Sequence, residues 1–321
     1  MKKILILGGT GFVGRPVCEA LARLQWAVTL PTRHAKNASA LQHLPLVQVV
    51  QANVHDEAAL TRLVAGHDAV VNLIAILHGD EEAFERTHVE LPAKLARACQ
   101  AAGVQRLVQV SALGADATHP QAPPSRYLRS KSRGEVVLQH GLLDLTVLRP
   151  SVIFGADDQF TNMFAQLQRV FPFVPLAGAH TRFQPVWVQD VAQAIVRCLQ
   201  DRRTIGQTYE LCGPETLSLQ AIVQLCGRLA EVREGAGVPV IPMPWWVGRL
   251  QAGLMELLPG QPLMSRDNVA SLQVDNVASG HHPGLSALGI TASSLSGIAP
   301  GYLGHDSAQG VPTHLVDLRS R

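Results

Sequence analysis

The first fourteen residues constrain the chain more than any other stretch. Ile4-Leu5-Ile6-Leu7 is an unbroken apolar run, and Gly8-Gly9-Thr10-Gly11-Phe12-Val13-Gly14 follows with four glycines in seven positions. A strand buried on both faces reads as such a run, whereas a strand with one wet face alternates. Phe12, Val13, Val17, Leu21 and Leu24 then recur at helical spacing, so the sequence predicts a strand, a sharp turn and a helix. A turn without side chains lets backbone N–H groups approach a pyrophosphate, and the helix N-terminus adds partial positive charge. Gly9, Gly11 and Gly14 fit G-x-G-x-x-G, while Gly8, Gly11 and Gly14 fit an evenly spaced G-x-x-G-x-x-G equally well. Gly8, Thr10, Gly11, Phe12, Val13 and Gly14 are therefore candidate ligands of a dinucleotide.

Strand patterns recur at 27–30, 46–50, 68–74, 106–111, 145–148 and 208–211, separated by helical patterns and loops. Strands and helices at this pace form βαβ units, whose right-handed crossovers place helices on both faces of a parallel sheet. The expected fold is α/β, a doubly wound parallel sheet of Rossmann type over residues 1–212. Residues 155–187 form an expected insertion toward a smaller C-terminal lobe, 213–321. In such a sheet the ligand lies beyond the carboxyl ends of the strands. The second strand runs into Thr32-Arg33-His34, and no acid stands between Glu19 and Asp56 to bind a ribose 2′-OH. Arg33 therefore points to the 2′-phosphate of NADP(H), with NAD(H) the second choice. Asn53, Val54, Leu73, Ile74 and Ala75, where the third and fourth strands end, are expected walls for the adenine and its ribose.

The totals exclude several classes. With 321 residues, 47% apolar and 16% charged, the chain suits a globular protein of one large or two modest domains. A net charge of +2 gives no basis for nucleic-acid binding. Lys2-Lys3 precede an apolar run too short for a secretory signal, and no run approaches the roughly 18 residues of a membrane span. Five cysteines (Cys18, Cys99, Cys198, Cys212 and Cys226) without C-x-x-C spacing fit a reducing compartment. The expected location is cytoplasmic, or peripheral on the inner face of the cytoplasmic membrane. His281-His282-Pro283 reads as a surface loop and no metal site is expected; G-x-S-x-G is absent, so a serine hydrolase is not expected either.

Tyr127 and Lys131 stand four apart in a helical pattern and so share a face. A phenol with its ordinary pKa near 10 is a poor acid–base group at neutral pH unless a cation stabilises the phenolate. Lys131 supplies that charge and can also hold the nicotinamide ribose. Ser111, ending the fifth strand, falls at the same sheet edge, where it can hydrogen-bond a substrate carbonyl.

The glycine loop, Ser111, Tyr127 and Lys131, Arg149-Pro150, Phe154-Gly155 and Val188-Gln189-Asp190-Val191-Ala192 together resemble the short-chain dehydrogenase/reductase superfamily, in its extended or atypical branches. More narrowly, Ser125-Arg126-Tyr127-Leu128-Arg129-Ser130-Lys131 with Gly134-Glu135, and Pro150-Ser151-Val152-Ile153-Phe154-Gly155-Ala156-Asp157-Asp158, resemble the group holding the nucleotide-binding accessory subunit of respiratory complex I and its bacterial relatives. This resemblance implies NADP(H) binding, with Pro150 and Val152 among the cofactor contacts, and association with complex I or with ubiquinone-pathway proteins. It leaves two roles open for Ser111, Tyr127 and Lys131: a cofactor-loaded structural or assembly protein, or an active reductase, epimerase or dehydratase. The chain departs from extended members at Thr87-His88-Val89, where they carry an asparagine, at Asn53, where they often carry an aspartate, and at Ser111-Ala112-Leu113-Gly114-Ala115, where they have paired serines.

One stretch of the C-terminal lobe stands apart. Pro242-Met243-Pro244-Trp245-Trp246-Val247, with Arg249 and an apolar helical run to Leu258-Pro259-Gly260, fits either a membrane surface or hydrophobic partner, or a lid over the cleft.

Overall fold

β1 (Lys3–Leu7) threads the centre of the protein, with Ile4, Leu5, Ile6 and Leu7 fully buried. The structure, a computed structural model, describes residues 1–257 and 264–304. Around β1 stand β2 (Ala27–Thr32), β3 (Val47–Gln51), β4 (Ala69–Asn72), β5 (Arg106–Val110), β6 (Asp144–Pro150) and β7 (Thr208–Leu211). All pair in parallel, in the spatial order β7-β6-β5-β4-β1-β2-β3. The order reverses between β1 and β4, which makes a crevice at their carboxyl ends. The doubly wound parallel sheet expected from the sequence is therefore present.

Ten helices bear on the argument: α1 (Gly14–Arg23), α2 (Glu57–Val64), α3 (Glu81–Glu85), α4 (Leu91–Ala102), α5 (Arg126–Gln139), α6 (Phe160–Val170), α7 (Val188–Gln200), α8 (Leu219–Leu229), α9 (Trp245–Glu256) and α10 (Arg266–Ser271). Alternation along β1 divides the core between two faces. Ile4 and Ile6 join Val17 and Leu21 of α1 and Val191 and Ile195 of α7. Leu5 and Leu7 join Leu60 and Val64 of α2 and Leu91 and Leu95 of α4.

Three boundaries differ from expectation, each for a local reason. α1 starts at Gly14, so Phe12 and Val13 belong to the turn, and Leu24 lies beyond the helix. β4 stops at Asn72 rather than at 74 because the next N–H groups turn to side chains: Ile74 N donates to Asn72 Oδ1 (3.2 Å) and Ile76 N to His88 Nε2 (3.1 Å). The helical pattern ending at 102 is broken into α3, a π-helical turn (Arg86–Glu90) and α4.

A second core gathers Phe164 of α6, Ile222 and Val223 of α8, and Val174, Leu176 and Val240 from two short parallel strands (Val174–Ala177 and Val240–Met243). Part of the C-terminal segment packs on the main sheet. Leu285, Leu288 and Ile290 return to the α1/α7 face of the main sheet, and buried Asp190 fixes that return by accepting from Ser293 N at 2.7 Å.

Candidate functional site

The strand ends deliver most of the expected ligands to one edge of the sheet. Gly8 has φ +81°, a left-handed conformation that glycine adopts without strain. A side chain at Gly14 would put its Cβ 2.4 Å from Gly9, so α1 can approach the strand end only because both positions are bare. Gly11 is exposed at the tip of the turn, and a Cβ there would meet nothing nearer than Gly8 O at 3.3 Å. Gly8 O also accepts from Gly11 N at 3.1 Å, closing the turn. Thr10 and Val13 are half-buried beside it, and the Phe12 ring lies within 3.3 Å of where a Gly155 Cβ would sit. No side chain caps α1 and no acid stands in its first turn, so its N-terminal dipole is not countered from within the helix.

At the far end of the crevice Arg33 is exposed just beyond β2 and pairs with no carboxylate among the described residues. Asn53 Oδ1 accepts from His55 N at 3.1 Å, and Val54 turns into the core beside Leu60. His55 is a residue that the sequence did not single out. Its imidazole pKa is lowered by burial and then by the positive charges of Lys94, Arg86 and Arg33, and Lys94 Nζ donates to His55 O at 3.0 Å. Three cations thus act on His55 where the third strand ends, with Glu90 acting the other way. Arg86 and Lys94 lie far along the chain, so only the fold brings them there. Leu73 and Ile74 are half-buried and Ala75 is exposed at the exit of β4, while Pro150 closes β6. Val152 N donates to Asn276 Oδ1 (3.1 Å), and Ser151 Oγ bonds the same oxygen at 2.6 Å, a tie from the C-terminal segment invisible in the sequence.

Among the described residues, five buried side-chain polar atoms have no hydrogen-bond partner: Arg15 Nε, His55 Nδ1, His78 Nδ1, Ser111 Oγ and Arg133 Nε. The first four belong to the start of α1 and the segments that follow β3, β4 and β5, which is the edge where a dinucleotide lies in this fold. Unpaired buried polar atoms are costly and uncommon, so their gathering at one edge fits a site shaped for a polar ligand. Two other depressions, of about 520 and 230 Å³, open at the amino edge of the sheet beside Trp26 and Arg106 and contain none of the expected ligands. No cluster of metal-ligating side chains forms among the described residues, and His282 instead bonds Arg149 (3.3 Å).

The Tyr127 corner differs from expectation. Ser125 caps α5, and Asp267 of α10 accepts from Arg126 N (2.7 Å) and Tyr127 N (3.0 Å). The half-buried Tyr127 ring packs edge-on against His88, with centroids 5.5 Å apart, and against Phe84. No hydrogen bond joins Tyr127 to Lys131: burial pushes the phenol pKa up, with no opposing pull from the lysine. Lys131 is itself buried, donates from Nζ to Val110 O (3.0 Å), and has its pKa pushed down to about 8 by that burial, with Glu135 acting the other way. Tyr127 and Lys131 thus share one face of α5 with the ammonium held by Val110 O.

Several residues behind the family resemblance prove to be structural pins. Glu135 grips Arg149 through two bonds (2.6 and 3.0 Å), and Gly134 is bare because a Cβ would press on His88 O. Asp158 accepts from Gly155 N at 2.9 Å and from Thr161 N at 2.5 Å. His88 is buried, with its pKa lowered to about 2 chiefly by burial. The neutral ring accepts from Ile76 N and leaves Nδ1 to donate to Ser130 Oγ (2.8 Å).

Known proteins similar to this chain bind nicotinamide dinucleotides or belong to complex I by their descriptions. A family described as NAD(P)H-binding matches residues 8–202. The mitochondrial NADH dehydrogenase [ubiquinone] 1 alpha subcomplex subunit 9 of Mus musculus is 31% identical over 299 residues, covering 90% of this chain and 76% of its own. A ceramide reductase of Caulobacter vibrioides is 28% identical over 60% of this chain and 59% of its own. Among solved structures, an NADPH-dependent quinone oxidoreductase of Escherichia coli complexed with NADPH superposes with a TM-score of 0.73 over 94% of this chain and 99% of that one, at 20% identity.

Proposed function

The chain belongs to the NAD(P)H-binding family and is a homologue of the complex I subunit, and from that premise we propose that it is an NADP(H)-loaded protein with a structural or assembly role at respiratory complex I. The observation that carries the choice of nucleotide is the positive charge of Arg33, Arg86 and Lys94 around His55, together with the lack of any acid between Glu19 and Asp56 to bind a ribose 2′-OH. In this reading Arg33 pairs with the 2′-phosphate, the bare N–H groups of Gly8 to Gly14 and the start of α1 hold the pyrophosphate, and Asn53, Val54, Leu73, Ile74 and Ala75 flank the adenosine. Lys131 leaves Val110 O to hold the nicotinamide ribose, beside Pro150 and Val152. The role follows from two further points. Similarity to the complex I subunit runs along nine-tenths of the chain, whereas similarity to the reductase spans three-fifths. The Lys131 ammonium is also held by Val110 O rather than by the Tyr127 hydroxyl. The same reading puts the protein peripherally on the inner face of the cytoplasmic membrane, in contact with complex I or quinone-pathway proteins.

A second reading, an NADPH-dependent reductase, is favoured by the unpaired Ser111 Oγ. Bound NADPH would supply a hydride. Ser111 would donate a hydrogen bond to a substrate carbonyl oxygen, and Tyr127, kept protonated by its raised pKa, would deliver a proton to that oxygen. The nucleotide released on denaturing the purified protein tests the cofactor assignment common to both readings. NADP(H) at one per chain is expected; NAD(H), or an apoprotein that binds NADPH no better than NADH, overturns it.

A further inference from the structure

We infer that the outer face of α9 is a docking surface for an anionic lipid bilayer, entered at headgroup depth. The inference rests on the peripheral placement proposed above but not on the nucleotide. α9 is turned opposite to an ordinary surface helix, which buries its large apolar side chains and exposes its polar ones. Its buried positions are the small Gly248 and Ala252, and a Cβ at Gly248 would come within 2.3 Å of Ala177 Cβ. Four large apolar side chains face out: Trp246 is 70% exposed, Leu250 60% and Leu254 59%, with Leu257 81% exposed just past the helix end. These four recur at helical spacing and form one apolar row about 17 Å long.

Shape and charge select the occupant. The row ends in indole and aliphatic side chains that protrude into solvent. It suits a helix lying in a membrane interface, with aromatic and aliphatic side chains sunk toward the acyl chains and a cation left among the headgroups. The one acid of α9, Glu256, is drawn away by Arg266, accepting from its backbone N (2.8 Å) and its Nε (2.7 Å). Arg249, exposed beside Leu250, is then the charge carried by the row, and it pairs with no carboxylate among the described residues. No helix among those residues is long and apolar enough to cross a membrane, so the row lies on the bilayer rather than through it.

Cosedimentation of the full chain with vesicles of phosphatidylcholine, alone or mixed with phosphatidylglycerol, tests this. Binding to the mixed vesicles is expected to exceed binding to phosphatidylcholine alone. Trp246→Ala combined with Leu250→Ala should lower it by at least about tenfold, given the apolar area withdrawn from lipid. Arg249→Gln should cost about fivefold on the mixed vesicles and little on phosphatidylcholine. Absence of binding to either vesicle, or equal binding by the double variant, overturns the proposal. So does a lipid-free dimer that the double variant converts to monomer, since a second copy then covers the row. NADPH affinity on the same samples keeps the two readings apart. Nucleotide binding without vesicle binding removes only the surface, and vesicle binding without NADPH removes only the nucleotide assignment.

Discussion

At the glycine-loop end of the crevice the backbone is bare, whereas at the Tyr127 end the polar groups are largely engaged already. Gly11 is exposed at the tip of the turn and α1 begins without a capping side chain. Lys131 is spent on Val110 O, and the N–H groups of Arg126 and Tyr127 are spent on Asp267. One end is ready to receive a phosphate, and the other needs a hydrogen bond broken before Lys131 can serve a ligand. The proposed nucleotide-holding role rests on that difference.

The contrast is broken most severely at the bare end. Gly11→Val should abolish NADPH binding, a loss of at least about a hundredfold, because the branched side chain enters the space of the pyrophosphate while its Cβ meets only Gly8 O, at 3.3 Å. Calorimetry on the folded variant checks this, and unchanged affinity would remove the loop from the site. Arg33→Ala should weaken NADPH by about ten- to a hundredfold and NADH far less, since a charge-assisted hydrogen bond is worth about 1.5–3 kcal/mol. Equal losses for the two nucleotides would place Arg33 elsewhere.

Those two expectations were legible in the sequence because they depend on local features, a run of glycines and a missing acid. The sheet was legible for a similar reason: strands buried on both faces must be apolar runs, and the helix over 57–64 announces itself with Asp56, which caps it through Ala58 N and Ala59 N. Long-range pairing was not. Asp267 reaches the start of α5 across 140 residues, Asn276 reaches Val152 across 124, and neither residue carries a local mark of its partner. The four-residue spacing of Tyr127 and Lys131 set them on one face of a helix but could not show that a backbone carbonyl would take the ammonium. The inverted facing of α9 was equally hidden, because an apolar periodicity does not say which side is covered. Of the Trp245 stretch, residues 258–260 lie outside the described residues.

A smaller effect sharpens the engaged end. Lys131 has its pKa lowered from 10.5 to about 8 in the folded protein, so between those values the unfolded chain binds the extra proton. Stability of the nucleotide-free protein should therefore rise with pH across that window, by at most about 1.4 kcal/mol per pH unit. Below pH 8 both states are protonated and the slope from this group vanishes. Denaturant titrations at several pH values should show the slope in the wild type and lose it in Lys131→Met; a slope of the same size in both would mean another group titrates.

The smallest expected effect tests the structural role most directly. Tyr127→Phe keeps the ring against His88 and Phe84 and removes a hydroxyl that bonds nothing among the described residues. In a strain lacking the protein, with Gly11→Val as the failing control, Tyr127→Phe should bind NADPH like the wild type and restore complex I function in full. A variant that binds NADPH normally, fails to restore function and loses substrate-dependent NADPH oxidation by roughly 10²–10⁴ would contradict the account and make the protein a reductase.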